Sequence, residues 1–175
     1  MAKLRKFVAY RKLERPYTRT SKFKKKAFIR MSPNIKVVRF VTGSPNKKFQ
    51  YTLNLLSKSD LQIRDNALES ARQTSNRLLE TTIGLGSYFM RVKTYPFHVL
   101  RENPLAGGAG ADRFSTGMAH SFGKPIGNAA RVHKGDIIFQ LSVNKEHLDL
   151  AKKALGRALT KVPCSCLIEV IPNKI

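Results

Sequence analysis

Acidic residues are scarce in this sequence, tryptophan is absent and cysteine occurs only twice. The 11 Asp and Glu face 33 Lys and Arg, a formal net charge of +22. Self-repulsion of that size destabilises a compact chain and is usually kept because a polyanion neutralises it. Nucleic acid is therefore the expected partner, with an anionic membrane as the competitor. No run approaches the roughly 18 consecutive apolar residues of a spanning helix, so no membrane partner is expected. A secretory signal is excluded too, because the basic start runs into Tyr10, Arg11 and Lys12 where an apolar region is needed. The chain is expected to stay in the cytoplasm. Cys164 and Cys166 are too few and too close for a disulfide framework, which fits a reducing compartment.

What remains is a chain of 175 residues, 42% of them hydrophobic, enough for one domain with a core of its own. Its charge is uneven. Residues 1 to 50 hold 16 Lys or Arg against the single acid Glu14, whereas the other 125 residues hold 17 against 10. Residues 1 to 34 read as a basic extension, mobile when free and laid along phosphates when bound. Its RNA-binding candidates are Arg5, Lys6, Arg11, Lys12, Arg15, Arg19, Lys22, Lys24, Lys25, Lys26 and Arg30, interleaved with Tyr10, Tyr17, Phe23 and Phe28, whose rings can stack on bases. A solvated basic tail is the plainer alternative.

Residues 35 to 175 read as a single globular unit. Ile35 to Thr42 is expected as a strand closed by the turn residues Gly43 to Asn46. Phe49, Tyr51, Leu53 and Leu55 alternate with polar residues as a half-buried strand requires. Ser59 to Gln62 offers a capping box ahead of a helix spaced by Ile63, Ala67, Ala71, Leu78 and Leu79 and ended by Gly84. Its other face carries Arg64, Arg72, Gln73, Asn76 and Arg77; Arg64 and Arg72 are RNA-contact candidates there, although a solvated helix face accounts for them more readily. Tyr88 to Lys93 and Phe97 to Arg101 read as strands split by Pro96. A glycine-rich stretch, 103 to 112, reads as a flexible loop. Ile137 to Val143 forms a further strand, Asn144 caps a second helix through Leu148, Ala151, Leu155 and Leu159, Pro163 stops it, and Cys164, Cys166, Ile168 and Val170 share one face of a last strand. The expected architecture is α+β: a two-layer sandwich of a mixed or antiparallel sheet with two main helices.

Catalytic patterns fail on spacing. Five residues rather than four separate Gly117 from Gly123 ahead of Lys124, and Pro125 stands where a phosphate-binding loop needs a hydroxyl for magnesium. Gly107, Gly108 and Gly110 do not fit the dinucleotide pattern. Ser115 or Ser121 with His120 and Asp112 lacks a nucleophile elbow. The two cysteines do not make zinc spacing with each other or with the four scattered histidines, and they read as two small core side chains on a strand. No cofactor, no metal and no enzymatic activity are expected.

Gly110 to Met118, reading GADRFSTGM, is followed by Phe122-Gly123-Lys124-Pro125, then Gly127 and Ala129-Ala130-Arg131-Val132. Together with Gln62-Ile63-Arg64, Asn66 to Glu69, Ala71-Arg72-Gln73, Tyr95-Pro96-Phe97, Val99 to Pro104 and Pro163-Cys164, these segments resemble the universal large-subunit ribosomal protein family called L-sixteen in bacteria and L-ten-e in archaea and eukaryotes, in its archaeal form. The likeness covers about residues 30 to 172. Ala119 departs from it, standing where the family has Arg. The resemblance implies binding to large-subunit (23S) rRNA, with 5S rRNA as a further candidate, beside other large-subunit proteins and without homo-oligomerisation. Arg113, Lys124 and Arg131 are then the cations of these segments expected at RNA. It also implies that the loop carrying Asn103, Pro104, Leu105, Gly107, Gly108, Gly110 and Asp112 points to the peptidyl-transferase centre and to tRNA in the A and P sites. Against this stand a free nucleic-acid chaperone, which explains the charge but not the long signature, and a small RNA-modifying enzyme, which lacks a catalytic constellation.

Overall fold

A computed structural model describes residues 4–13, 15, 22–26, 29, 31–103, 117–118 and 123–173. Among them are eight strands in two antiparallel sheets and two α-helices, an α+β sandwich. The larger sheet runs in the order β1-β4-β7-β2-β8, made of Val41–Gly43 (β1), Tyr51–Ser57 (β2), Tyr88–Val92 (β4), Ile137–Val143 (β7) and Cys166–Pro172 (β8). The smaller runs β3-β6-β5, made of Leu61–Arg64 (β3), His98–Glu102 (β5) and Lys124–Val132 (β6). The helices are Asp65–Ile83 (α1) and Leu148–Leu159 (α2).

Strands from the two halves of the chain interleave: β7 lies between β4 and β2, and β2 lies between β7 and β8. Alternation puts Leu53 and Leu55 of β2, Phe139, Leu141 and Val143 of β7, and Tyr88 and Met90 of β4 into the core, each essentially closed to solvent. The helices add Leu68, Ala71 and Leu79 from α1 and Ala151, Ala154, Leu155 and Ala158 from α2. Full burial of one such leucine stabilises by roughly 1.5–3 kcal/mol. Small residues let the helices meet closely, and Ser75 Oγ donates to both Ala71 O in its own turn and Ala154 O on α2, 2.9 and 3.0 Å away. The buried Tyr88 hydroxyl donates to Asn76 Oδ1 at 2.5 Å, and burial pushes its pKa up to about 12.

Several local expectations fail for identifiable reasons. The strand expected at 35 to 42 shortens to β1, because Lys36 N donates to Asp65 Oδ2 at the start of α1 instead of to a ladder. Gly43 then turns the chain at φ +90, where a Cβ would stand 2.2 Å from Tyr88 O. The capping box at Ser59 to Gln62 does not form. Leu61 and Gln62 belong to β3, and α1 begins only at Asp65, whose Oδ1 accepts from Asn66 N at 2.8 Å. Asn144 makes no side-chain cap, and a 3-10 turn, Lys145–His147, intervenes before α2. Arg72 does not share the exposed face of α1: it is buried, with Nε and Nη2 donating to Glu69 at 2.8 and 2.6 Å. Strand β6 was not foreseen from the sequence, since Gly127, Asn128, Ala129 and Ala130 carry no strand-forming bulk. Of the loop at 103 to 112 only Asn103 lies within the described residues.

Candidate RNA interface

The smaller sheet is where the cations gather, because the basic amino-terminal segment is fastened to it. Gln62 N on β3 donates to Arg11 O at 3.2 Å, and Gln62 Nε2 donates to Lys12 O at 2.6 Å. Arg64 Nη1 donates to Arg5 O at 2.9 Å. Arg5 Nε meets Glu102 Oε1 at 2.5 Å, and the Tyr10 hydroxyl donates to Glu102 Oε2 at 3.2 Å while accepting from Arg5 N. Burial raises the Tyr10 pKa, with the nearby Glu102 charge adding to it. Leu4 packs on Gly127 of β6, where an added Cβ would stand 3.3 Å from its methyl.

Between this segment and β5 lies a cavity of about 280 Å³ whose walls include Arg5, Lys12, Arg15, Arg101, Gln62 and His98, with Gly117 and Met118 of the signature at its border. Four cations and one acid, Glu102, give it a positive potential suited to a phosphate or another anion. His98 is buried, and its Nδ1 contacts Gln62 Oε1; since Gln62 Nε2 already donates to Lys12 O, Nδ1 carries the proton. Burial first, then the charges of Arg131 and Arg101, hold the His98 pKa down to about 4. The ring is therefore neutral at physiological pH, and it links β5 to the amino-terminal backbone through Gln62.

The site candidates divide accordingly. Arg5, Lys6, Arg11, Lys12 and Arg15 are exposed beside the smaller sheet, Arg64 and Arg131 are half-buried on it, and Lys124 is exposed at the start of β6. Lys22, Lys25 and Lys26 are exposed, with Lys26 Nζ 5.4 Å from the centroid of the Phe23 ring; Lys24 belongs to the same 3-10 turn, Lys24–Lys26. Arg72 stands apart in its ion pair, which draws the Glu69 carboxyl below its ordinary pKa. Arg19, Arg30, Arg113, Pro104, Leu105, Gly107, Gly108, Gly110 and Asp112 lie outside the described residues, as do Tyr17 and Phe28. Asn103 Nδ2 donates to Gly117 O at 3.3 Å. Gly123 has φ +128, and a Cβ there would approach Met118 Sδ at 2.9 Å and the Glu102 carbonyl at 3.2 Å, so this glycine of the signature serves close packing on β5.

Sequence reasoning did not assign site roles to Arg101, Gln62, His98 or Glu102. No local signal could have, because the contacts that define them span 36 to 97 residues of chain. It also passed over Tyr95 and Phe97, whose rings are about half exposed, Tyr95 stacking on Phe40 at 5.3 Å.

A family model described as ribosomal protein L16p/L10e matches residues 6–169. The large ribosomal subunit protein uL16 of Hyperthermus butylicus is 46% identical over 159 residues, covering 91% of this chain and 85% of that protein. The uL16 of Methanococcus maripaludis is 44% identical over 172 residues, covering 98% and 96%. That of Archaeoglobus fulgidus is 43% identical over 161 residues, covering 92% and 89%.

Proposed function

The chain belongs to the ribosomal protein L16p/L10e family, and on that premise we propose that its cationic small sheet and amino-terminal segment bind large-subunit rRNA and help shape the site that receives aminoacyl-tRNA. It is a structural constituent of the large ribosomal subunit in the cytoplasm, with other ribosomal proteins and rRNA as its surroundings, and it is not an enzyme. The observation that carries the RNA reading is the convergence of Arg5, Lys12, Arg15 and Arg101 on one cavity bordered by Gly117 and Met118. Phosphates neutralised there release condensed counterions, which makes the affinity steeply dependent on salt. Exposed rings such as Phe23, Tyr95 and Phe97 offer stacking surfaces for unpaired bases.

Residues 1 to 34 act as a basic arm whose first part is tied to the small sheet, and residues 35 to 175 act as the folded body. The glycine-rich loop from Asn103 to Asp112 reaches toward the peptidyl-transferase centre and the tRNA acceptor arms, small residues allowing close backbone approach to RNA. The protein works as one copy per subunit, with 5S rRNA a further neighbour.

Two experiments test this. Lys12→Glu with Arg15→Glu is expected to weaken binding of the purified chain to large-subunit rRNA by roughly tenfold or more at moderate salt. Unchanged affinity would remove the cavity from the interface. Gly108→Trp is expected to leave rRNA affinity intact while subunits carrying it translate more slowly. Normal elongation with that variant would overturn the loop assignment.

A further inference from the structure

The two cysteines are not the buried core pair that their alternation suggests. Cys164 lies in the turn after α2, Cys166 opens β8, and both are half-buried free thiols. Their sulfurs are 3.4 Å apart, and Cys166 Sγ also faces Cys164 O at 3.6 Å. A disulfide of about 2.05 Å would need them to close by about 1.4 Å, within reach of side-chain torsion and a small shift of the turn.

Cys164, and not Cys166, lines an open cavity of about 670 Å³ whose walls also carry two cations, Arg11 and Lys58, against one acid, Asp60. Thiols in partly exposed, electropositive settings are the ones that react, since thiolate is the nucleophile. The contact with Cys166, assisted by Ser57, holds the Cys164 thiol down to about 7 against the effect of burial, and the same contact pushes the Cys166 thiol up. Of the two half-buried sulfurs, only that of Cys164 belongs to a residue lining this cavity, and Cys166 stands next to it.

We propose that Cys164 and Cys166 are a redox-active dithiol that closes to an intramolecular disulfide by exchange with a small anionic disulfide of the glutathione class. The Cys164 thiolate attacks one sulfur of the oxidised tripeptide, breaking its S–S bond and releasing one tripeptide thiolate, which takes a proton from water. The Cys166 thiol gives its proton to solvent and, as the thiolate, attacks Cys164 Sγ, expelling the second tripeptide as a thiolate that takes a proton from solvent. Two protein thiols are oxidised, and one small disulfide is reduced to two thiols. Closure clamps the turn after α2 to the start of β8, where Lys58 N donates to Ser165 O at 3.0 Å beside the turn that leads into β3.

The reduced full-length chain, mixed with glutathione disulfide at neutral pH and quenched in acid, tests this by intact mass. The wild type is expected to lose about 2 mass units without a tripeptide adduct, and Cys166→Ser to accumulate one adduct. Cys164→Ser is expected to react at least about tenfold more slowly than the wild type, because the thiol that lines the cavity is gone. A wild type that keeps both thiols, or that ends as a stable adduct, would overturn the proposal. So would a Cys164→Ser chain that reacts as fast as the wild type.

Discussion

Under the two helices, the five-stranded sheet is sealed by side chains that water does not reach, Leu53, Leu55, Phe139, Leu141 and Leu155 among them. The three-stranded sheet joins that core with one face, through Leu61, Ile63, Ala130 and Val132, and is closed differently on the other, where a basic segment is tied to it by the Arg5–Glu102 pair, by Tyr10 and by the Gln62 amide. Apolar closure is indifferent to salt and pH over the ordinary range, whereas polar closure depends on both. The first region holds the molecule together, and the second presents its cations to solvent, where phosphates can reach them. The difference teaches that a chain of net charge +22 folds by segregating its repulsion away from its core.

The largest effect separating the regions is expected from Leu155→Ala, which opens a hole between α2 and the sheet and costs about 3 kcal/mol in chemical denaturation. RNA affinity of the folded fraction should not change. A comparable loss of affinity would mean that the regions are coupled more tightly than their separate closures imply.

Next in size is the pH dependence of His98. Its folded pKa, about 4, lies below the ordinary 6.5, so the unfolded chain binds more protons between those values. Stability is then fully present above pH 6.5 and falls as pH drops toward 4, by about 3 kcal/mol at most. Thermal melts of the wild type and His98→Gln should diverge in slope across that window, the variant being flatter. Parallel curves would show that the buried ring is not what makes the small sheet acid-sensitive.

Smaller still is Glu102→Ala, which frees Arg5 and leaves the Tyr10 hydroxyl without its acceptor, at a cost of about 1 kcal/mol. Backbone amides of residues 4 to 13 should exchange hydrogen faster while those of β2 and β7 keep their protection. Uniform acceleration would erase the distinction between the two sheets.

Legibility in the sequence follows the same line. Alternation found β2, β4, β5, β7 and β8, and helical spacing found α1 and α2, because apolar closure writes a period into the chain. Strand β6 escaped because Gly127, Asn128, Ala129 and Ala130 carry no strand-forming bulk: Gly127 lies against Leu4, and Asn128 Nδ2 donates to Pro33 O at 2.8 Å. The capping residues at 59 to 62 were misread because Gln62 is committed to Lys12 O and His98, partners that no local window contains. Composition offered the basic residues of the amino-terminal segment as candidates but not Arg101, and the resemblance identified the family. The docking of residues 4 to 13 rests on single polar contacts between distant segments, which leave no periodic trace.

The most direct measurement is the affinity of the full chain for large-subunit rRNA across a salt series, with Lys25→Glu and Lys26→Glu beside the wild type. Affinity should fall steeply with salt, and each lost phosphate contact should reduce the slope by about 0.7 to 0.9 log units per log unit of salt. Binding that ignores salt, or that is equally tight to duplex DNA, would contradict the claim that these cations are held for folded RNA.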